Sequence, residues 1–136
     1  MTDKVGTCFI RYETDTGRIV AVGYCSTTDV QLQAQEGETA LATEDIVDAD
    51  VTYVLNGRLT DRTAVTATWD SESVAADGVA EIVLSPLPVT CTVYIDDTPV
   101  AVNDGSLEFS AEAAGQYLVY IDEPSFERKE WVVNAV

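Results

Sequence analysis

Along the chain, apolar and polar positions alternate in short runs of period two, separated by turn residues, which is the pattern of half-buried β-strands. Val5 to Tyr12 forms the first such run. The turn Glu13-Thr14-Asp15-Thr16-Gly17 follows, and then Arg18 to Tyr24, where Ile19, Ala21 and Gly23 alternate with Val20, Val22 and Tyr24. Together these predict a hairpin with Tyr12 opposite Arg18 and Cys8 opposite Val22. Val30-Gln31-Leu32-Gln33-Ala34 alternates strictly and predicts a half-buried edge strand, closed by Glu36-Gly37-Glu38. Glu44 to Asp50 is too short and too acidic for more than a single helical turn. Val51 to Leu55 and Arg58 to Thr60 flank Asn56-Gly57, a pair that accepts positive φ at both positions and predicts a two-residue hairpin turn.

From Asp61 onward the strands recur at a spacing of roughly ten residues. The expected strands are Thr63 to Trp69, Val79 to Leu84, Val89 to Ile95, Val100 to Val102, Ser106 to Ser110, Gln116 to Asp122 and Glu127 to Ala135. Turn signals separate them: Asp77-Gly78, Ser85-Pro86-Leu87-Pro88, Asp96-Asp97-Thr98-Pro99, Asn103-Asp104-Gly105, Ala114-Gly115 and Glu123-Pro124-Ser125. All four prolines are expected between strands, where a missing N–H does no harm. The predicted fold class is all-β, a small hairpin-rich β module over residues 1–60 followed by an immunoglobulin-like β-sandwich over residues 61–136. Gly115-Gln116-Tyr117 has the form of a tyrosine corner, in which a strand-entry tyrosine returns its hydroxyl to nearby backbone. Trp69, Phe109, Tyr117 and Trp131 fall inside strand patterns and are expected in the sandwich core.

Charge changes the picture most. The 136 residues carry 24 acidic and 7 basic side chains and no histidine, a formal net charge of -17. Nucleic acid is excluded as a partner, because phosphate binding requires clustered Lys and Arg. Anionic membrane surfaces are disfavoured for the same reason, and no run approaches the length of a membrane span. The start Met1-Thr2-Asp3-Lys4-Val5 has no basic region leading into an apolar stretch, so the expectation is synthesis in the host cytoplasm without a signal peptide. Cys8, Cys25 and Cys91 are few and odd in number, and in the expected register Cys8 and Cys25 do not face each other. Free buried thiols are predicted.

Candidate chemistry is thin. Without histidine the commonest general base and metal ligand is missing, so no catalytic residue and no cofactor is expected. No carboxylate pair stands out beside the aromatic-rich cleft that glycoside hydrolysis uses. The three cysteines lack zinc spacing. Carboxylates abound at Asp96-Asp97, Asp104, Asp122-Glu123 and over Glu44 to Asp50, but none follows the calcium-loop pattern. What remains is a surface for partners. Val30 and Leu32 on the expected edge strand, and Leu55, Asn56, Gly57, Arg58 and Leu59 at the hairpin tip, are the candidate contacts.

Several local phrases share their order with one group of proteins. Thr16-Gly17-Arg18-Ile19 leads to Gly23-Tyr24-Cys25, then come Gln33 to Glu38, Tyr53 to Gly57, Leu87-Pro88, Asp104 to Glu108 and Gly115-Gln116-Tyr117. In this order the chain resembles small structural proteins of tailed bacteriophage virions, although Asp61-Arg62-Thr63-Ala64 stands where many of them carry a proline-rich stretch. The resemblance implies a non-enzymatic virion component at the tail tip, baseplate or fibre attachment, with other virion proteins and copies of itself as partners. A capsid decoration protein is the alternative, and a carbohydrate- or cation-binding adhesion module the second. Residues 1–60 are expected to anchor the protein to the particle.

Overall fold

A computed structural model of the chain describes residues 6–136. Val5, the expected start of the first strand, and the rest of the expected leaderless N-terminus lie outside the described residues. The chain divides into two compact units, Met1–Thr63 and Ala64–Val136.

In the first unit, β1 (Thr7–Glu13), β2 (Ile19–Cys25) and β3 (Glu38–Thr43) form an antiparallel sheet in the order β2-β1-β3. The β1–β2 turn closes through Gly17, whose φ of 80° lies in the left-handed region and whose N–H donates to the Glu13 carbonyl at 2.8 Å. The register differs from the expected one: Cys8 faces Tyr24 and Tyr12 faces Ile19, with a bulge between Arg11 and Tyr12. That extra residue decides which side of the sheet Ile19 occupies. Without it Ile19 would share a face with Phe9; with it, Ile19 joins Ile10. The two faces then bury separate small cores. Phe9 and Ala40 pack with Val30 on one side, and Ile10 and Ile19 pack with Val54 on the other.

The predicted edge strand over residues 30–34 is not a strand. Thr27–Gln33 is a 3-10 helix, with Val30 its buried residue and Gln31 Nε2 donating to the Ala40 carbonyl at 3.2 Å. Three residues per turn place Val30 and Leu32 on different sides, so alternation in sequence does not become alternation in burial. Val30 is 3% exposed and Leu32 76%. β3, which the sequence pattern does not predict, is the outer strand beside β1. β4 (Thr52–Leu55) and β5 (Arg58–Asp61) form the expected hairpin, with Asn56 and Gly57 at φ of 53° and 77°.

The second unit holds eight strands: β6 (Thr68–Trp69), β7 (Ser73–Val74), β8 (Ile82–Ser85), β9 (Cys91–Ile95), β10 (Thr98–Val102), β11 (Leu107–Phe109), β12 (Gly115–Ile121) and β13 (Lys129–Ala135). One sheet runs β11-β8-β6 and the other β10-β9-β12-β13-β7. The first strand is thus split. Its opening part, β6, pairs antiparallel with β8, and its continuation, β7, runs parallel to the last strand, β13. This strand order, with β9 beside β12 and β8 beside β11, is that of an immunoglobulin-like sandwich. Inward positions Val93, Val119, Ile121 and Val133 of one sheet meet Ile82, Leu84, Leu107 and Phe109 of the other in one continuous core.

Local details follow the residues. Tyr117 Oη donates to the Ala113 carbonyl at 2.7 Å, completing the tyrosine corner. Phe109 is buried, while Trp69, Tyr117 and Trp131 are half-buried against the core. The long strand expected over residues 63–69 is mostly loop: Val65 and Ala67 are buried, Thr63 makes an isolated bridge, and only Thr68 and Trp69 form a strand. Pro99 lies inside β10, not between strands. This position is tolerated because β10 is the outermost strand of its sheet. The thiols are free, although the register that argued for this differs from the observed one, and of the three only Cys91 is buried; Cys8 and Cys25 are half-buried.

Candidate assembly surface

The edges of the sheets distinguish the two units. An outermost strand presents unpaired backbone donors and acceptors, and its length, charge and proline content decide whether another strand can add to it. In the sandwich β6 and β7 are two residues long, β11 carries Glu108 at its centre, and β10 contains Pro99. β13 carries Lys129 and Glu130 where it extends past β7. The strands of this unit that are longer than two residues and carry neither charge nor proline, β8, β9 and β12, are interior.

β2 is built the opposite way. It is an outer strand of seven residues, Ile19-Val20-Ala21-Val22-Gly23-Tyr24-Cys25, with neither charge nor proline. Val20, Val22 and Tyr24 are 42%, 44% and 60% exposed. The Tyr24 phenol is raised above its ordinary value, first by a hydrogen bond with the Cys8 side chain and then by desolvation and nearby negative charge including Asp45. It is therefore a neutral, apolar presentation at physiological pH. The opposite outer strand, β3, begins with Glu38, which pairs with Arg11 at 3.6 Å, and receives Gln31 on its Ala40 carbonyl.

The residues expected to contact partners do not form one patch. Val30 is core, which removes it as a contact. Leu32 is exposed on the 3-10 helix. Leu55 lies directly opposite Arg58, and Leu59 opposite Val54, so Leu55 and Leu59 project to different faces of the hairpin. Asn56 and Gly57 are exposed at its tip. Leu59 lines a shallow groove of about 540 Å³ with Ile46 and Val47, bordered by Glu44, Asp45, Asp48 and Asp61. Among the described residues there is no group of three or more Cys, Asp or Glu side chains able to hold a metal ion.

Reasoning from sequence passed over the β2 edge, although its signal was present: an uncharged apolar run beside a turn in a chain of net charge -17. It also missed a ladder on the outer face of the larger sandwich sheet. Pro99, Tyr94, Tyr120 and Glu130 occupy one row across four strands. The Tyr94 and Tyr120 rings stack at 5.0 Å, the Arg128 guanidinium lies 4.6 Å from the Tyr120 ring, and Tyr120 Oη donates to Asp97 at 2.7 Å. That last bond raises the Tyr120 phenol, and the hydrogen bond with Glu130 raises Arg128. The groups of this ladder satisfy one another.

No family model matches the chain, and neither a curated protein nor a solved structure matches it.

Proposed function

We propose that this protein is a non-enzymatic structural component of a tailed-phage particle and that it joins the particle by strand addition at the exposed edge of β2. The observation that carries the reading is the uncharged seven-residue edge from Ile19 to Cys25, in a chain whose other outer strands are short, charged or broken by proline. Strand addition draws affinity from main-chain hydrogen bonds and specificity from alternate side chains, and here Val22 and Tyr24 supply the alternate apolar positions. The ordered sequence resemblance supports the virion setting and favours the tail tip, baseplate or fibre attachment.

The occupant that fits the edge is an extended apolar segment of a different virion protein. Two copies of this chain would each bring a charge of -17 to the contact, whereas a neutral or basic strand would be drawn to it. Lysines at Val20 and Val22 would guard the edge as natural edge strands are guarded. In particles produced from the encoding phage genome, mass spectrometry should detect the wild-type chain and lose the V20K/V22K variant. Absence of the wild-type chain from purified particles would remove the virion assignment. Equal incorporation of both proteins would remove the edge.

A further inference from the structure

The split first strand of the sandwich leaves a cleft where the chain passes from one sheet to the other. Asp70 to Glu72 links β6 to β7, and β7 pairs only with Asn134 and Ala135. The neighbouring part of β13 is left uncovered, and beside it lies a cleft of about 390 Å³ lined by Trp69, Ser71, Glu72, Trp131, Val132 and Asn134. That volume is within the range of small-ligand sites, roughly 300–1,000 Å³. Both tryptophans of the chain are in this lining.

The two indoles differ in a way that matters. Trp131 Nε1 donates to the Ala67 carbonyl at 3.2 Å, which fixes its ring across the gap between the sheets. Trp69 packs edge-on against Phe109 at 6.2 Å, yet its Nε1 is buried with no acceptor in the protein. A buried indole N–H without an acceptor is costly and uncommon. Asp70, the nearest acid in sequence, is occupied elsewhere, accepting from Val83 N–H at 2.9 Å.

We propose that this cleft binds a neutral carbohydrate. Apolar C–H faces of a sugar ring suit partly exposed indole, while its hydroxyls can both donate and accept. Glu72 accepts, Asn134 both donates and accepts, and Ser71 Oγ, which donates its own proton to the Ser73 carbonyl at 2.9 Å, can accept. The net charge of -17 and the Glu72 carboxylate select against sugars bearing carboxylate, sulfate or phosphate. Glu72 is the single carboxylate lining the cleft, so the arrangement is one for binding and does not supply the carboxylate pair of glycoside hydrolysis. The site lies wholly within the sandwich unit and does not depend on the β2 edge.

Both tryptophans report on the cleft, so fluorescence selectively excited in indole should follow its occupancy. Cellotriose, maltotriose and chitotriose, titrated separately into the full-length protein at up to about 20 mM, bracket the weak affinities of shallow sites. At least one should give a saturable shift. Glu72 and Asn134 are exposed, so E72Q and N134A should melt as the wild type does and weaken that binding by about tenfold or more. No saturable response to any of the three sugars overturns the proposal. A response of unchanged affinity in the E72Q/N134A double variant overturns it as well, because the sugar would then be bound elsewhere.

Discussion

The sandwich and the N-terminal module treat the same physical problem, an unpaired strand edge, in opposite ways. In the sandwich the strands longer than two residues with neither charge nor proline, β8, β9 and β12, are interior, and its outer strands are two residues long, charged, or interrupted by Pro99. In the module, an uncharged β2 stands on the outside and charged β1, with Arg11 and Glu13, stands between its neighbours. The cores differ in parallel. Sixteen buried residues form one cluster in the sandwich, whereas the module divides six between two faces of one sheet. One unit is finished by its own chain; the other is built with an edge left over.

The largest effects should come from the cores and should separate the units. Leu84 is fully buried on the central strand of its sheet, and L84A should cost about 3 to 4 kcal/mol. Ile10 is equally buried but sits in a cluster of three, so I10A should cost less, about 2 to 3 kcal/mol. Calorimetry is expected to show each substitution lowering the transition of its own unit. A single transition lowered equally by both would mean that the units unfold as one and would blunt the contrast drawn between them.

Next in size is a pair of glycines in the module. A Cβ at Gly17 would fall 1.9 Å from the Val54 carbonyl oxygen, in addition to the strain of φ 80°. G17A should therefore cost more than about 2 kcal/mol and detach the hairpin, because the Gly17 carbonyl also accepts the Val54 N–H at 2.9 Å. Gly57 has a similar φ of 77° with nothing within 4 Å. G57A should cost about 1 kcal/mol, from backbone strain alone. Denaturant melts of the two variants measure how far β4 and β5 hold the module together.

Much of the sandwich was legible in the sequence because its strands are long enough to show alternation and its turns carry Gly, Pro, Asp and Asn. The hydroxyl-to-backbone bond of Tyr117 follows from a three-residue phrase. Failures cluster where pairing is decided at long range. β3 was hidden because Thr39-Ala40-Leu41-Ala42-Thr43 has weak strand propensity, and only pairing with β1 makes it a strand. The 3-10 helix imitated a strand through the alternation Val30-Gln31-Leu32-Gln33. β7, only two residues long, had no period to read. The uncharged run of β2 is written in the sequence, but its place on the outside of the sheet, like the tryptophan cleft, depends on which strands are missing from a neighbourhood, and no local pattern records that.

Two smaller effects lie in the sandwich. Y117F removes the hydroxyl that reaches the Ala113 carbonyl and should cost about 1 kcal/mol, read from the shift in denaturant midpoint. Asp77 is held below its ordinary value of 3.8 by hydrogen bonds from the backbone N–H groups of Ala80 and Val79. A carboxylate depressed on folding stabilises the folded state at pH above its unfolded value. That contribution is lost as pH falls from there through the lower folded value. Wild type should thus exceed D77N in stability at neutral pH, and the gap should close as the solution is acidified below about pH 4. A gap independent of pH would show that the turn is held without the charge.

The smallest effect on stability should accompany the sharpest separation of the units. V20K/V22K changes two exposed side chains and should move the unfolding free energy by no more than about 0.5 kcal/mol. T98K, on the exposed start of β10, should do the same. Their consequences for association differ. At low salt the charge of -17 keeps copies of the isolated chain apart. Near 1 M salt the screening length falls to about 3 Å, and an open apolar edge is free to find another. Sedimentation velocity should then detect salt-induced self-association of the wild type and of T98K, and none of V20K/V22K. Association that T98K suppresses and V20K/V22K leaves intact would reverse the assignment, making the sandwich the unit with the unguarded edge. The test works because screening removes the repulsion common to every surface of the chain while leaving untouched the local difference between a strand that is guarded and one that is not.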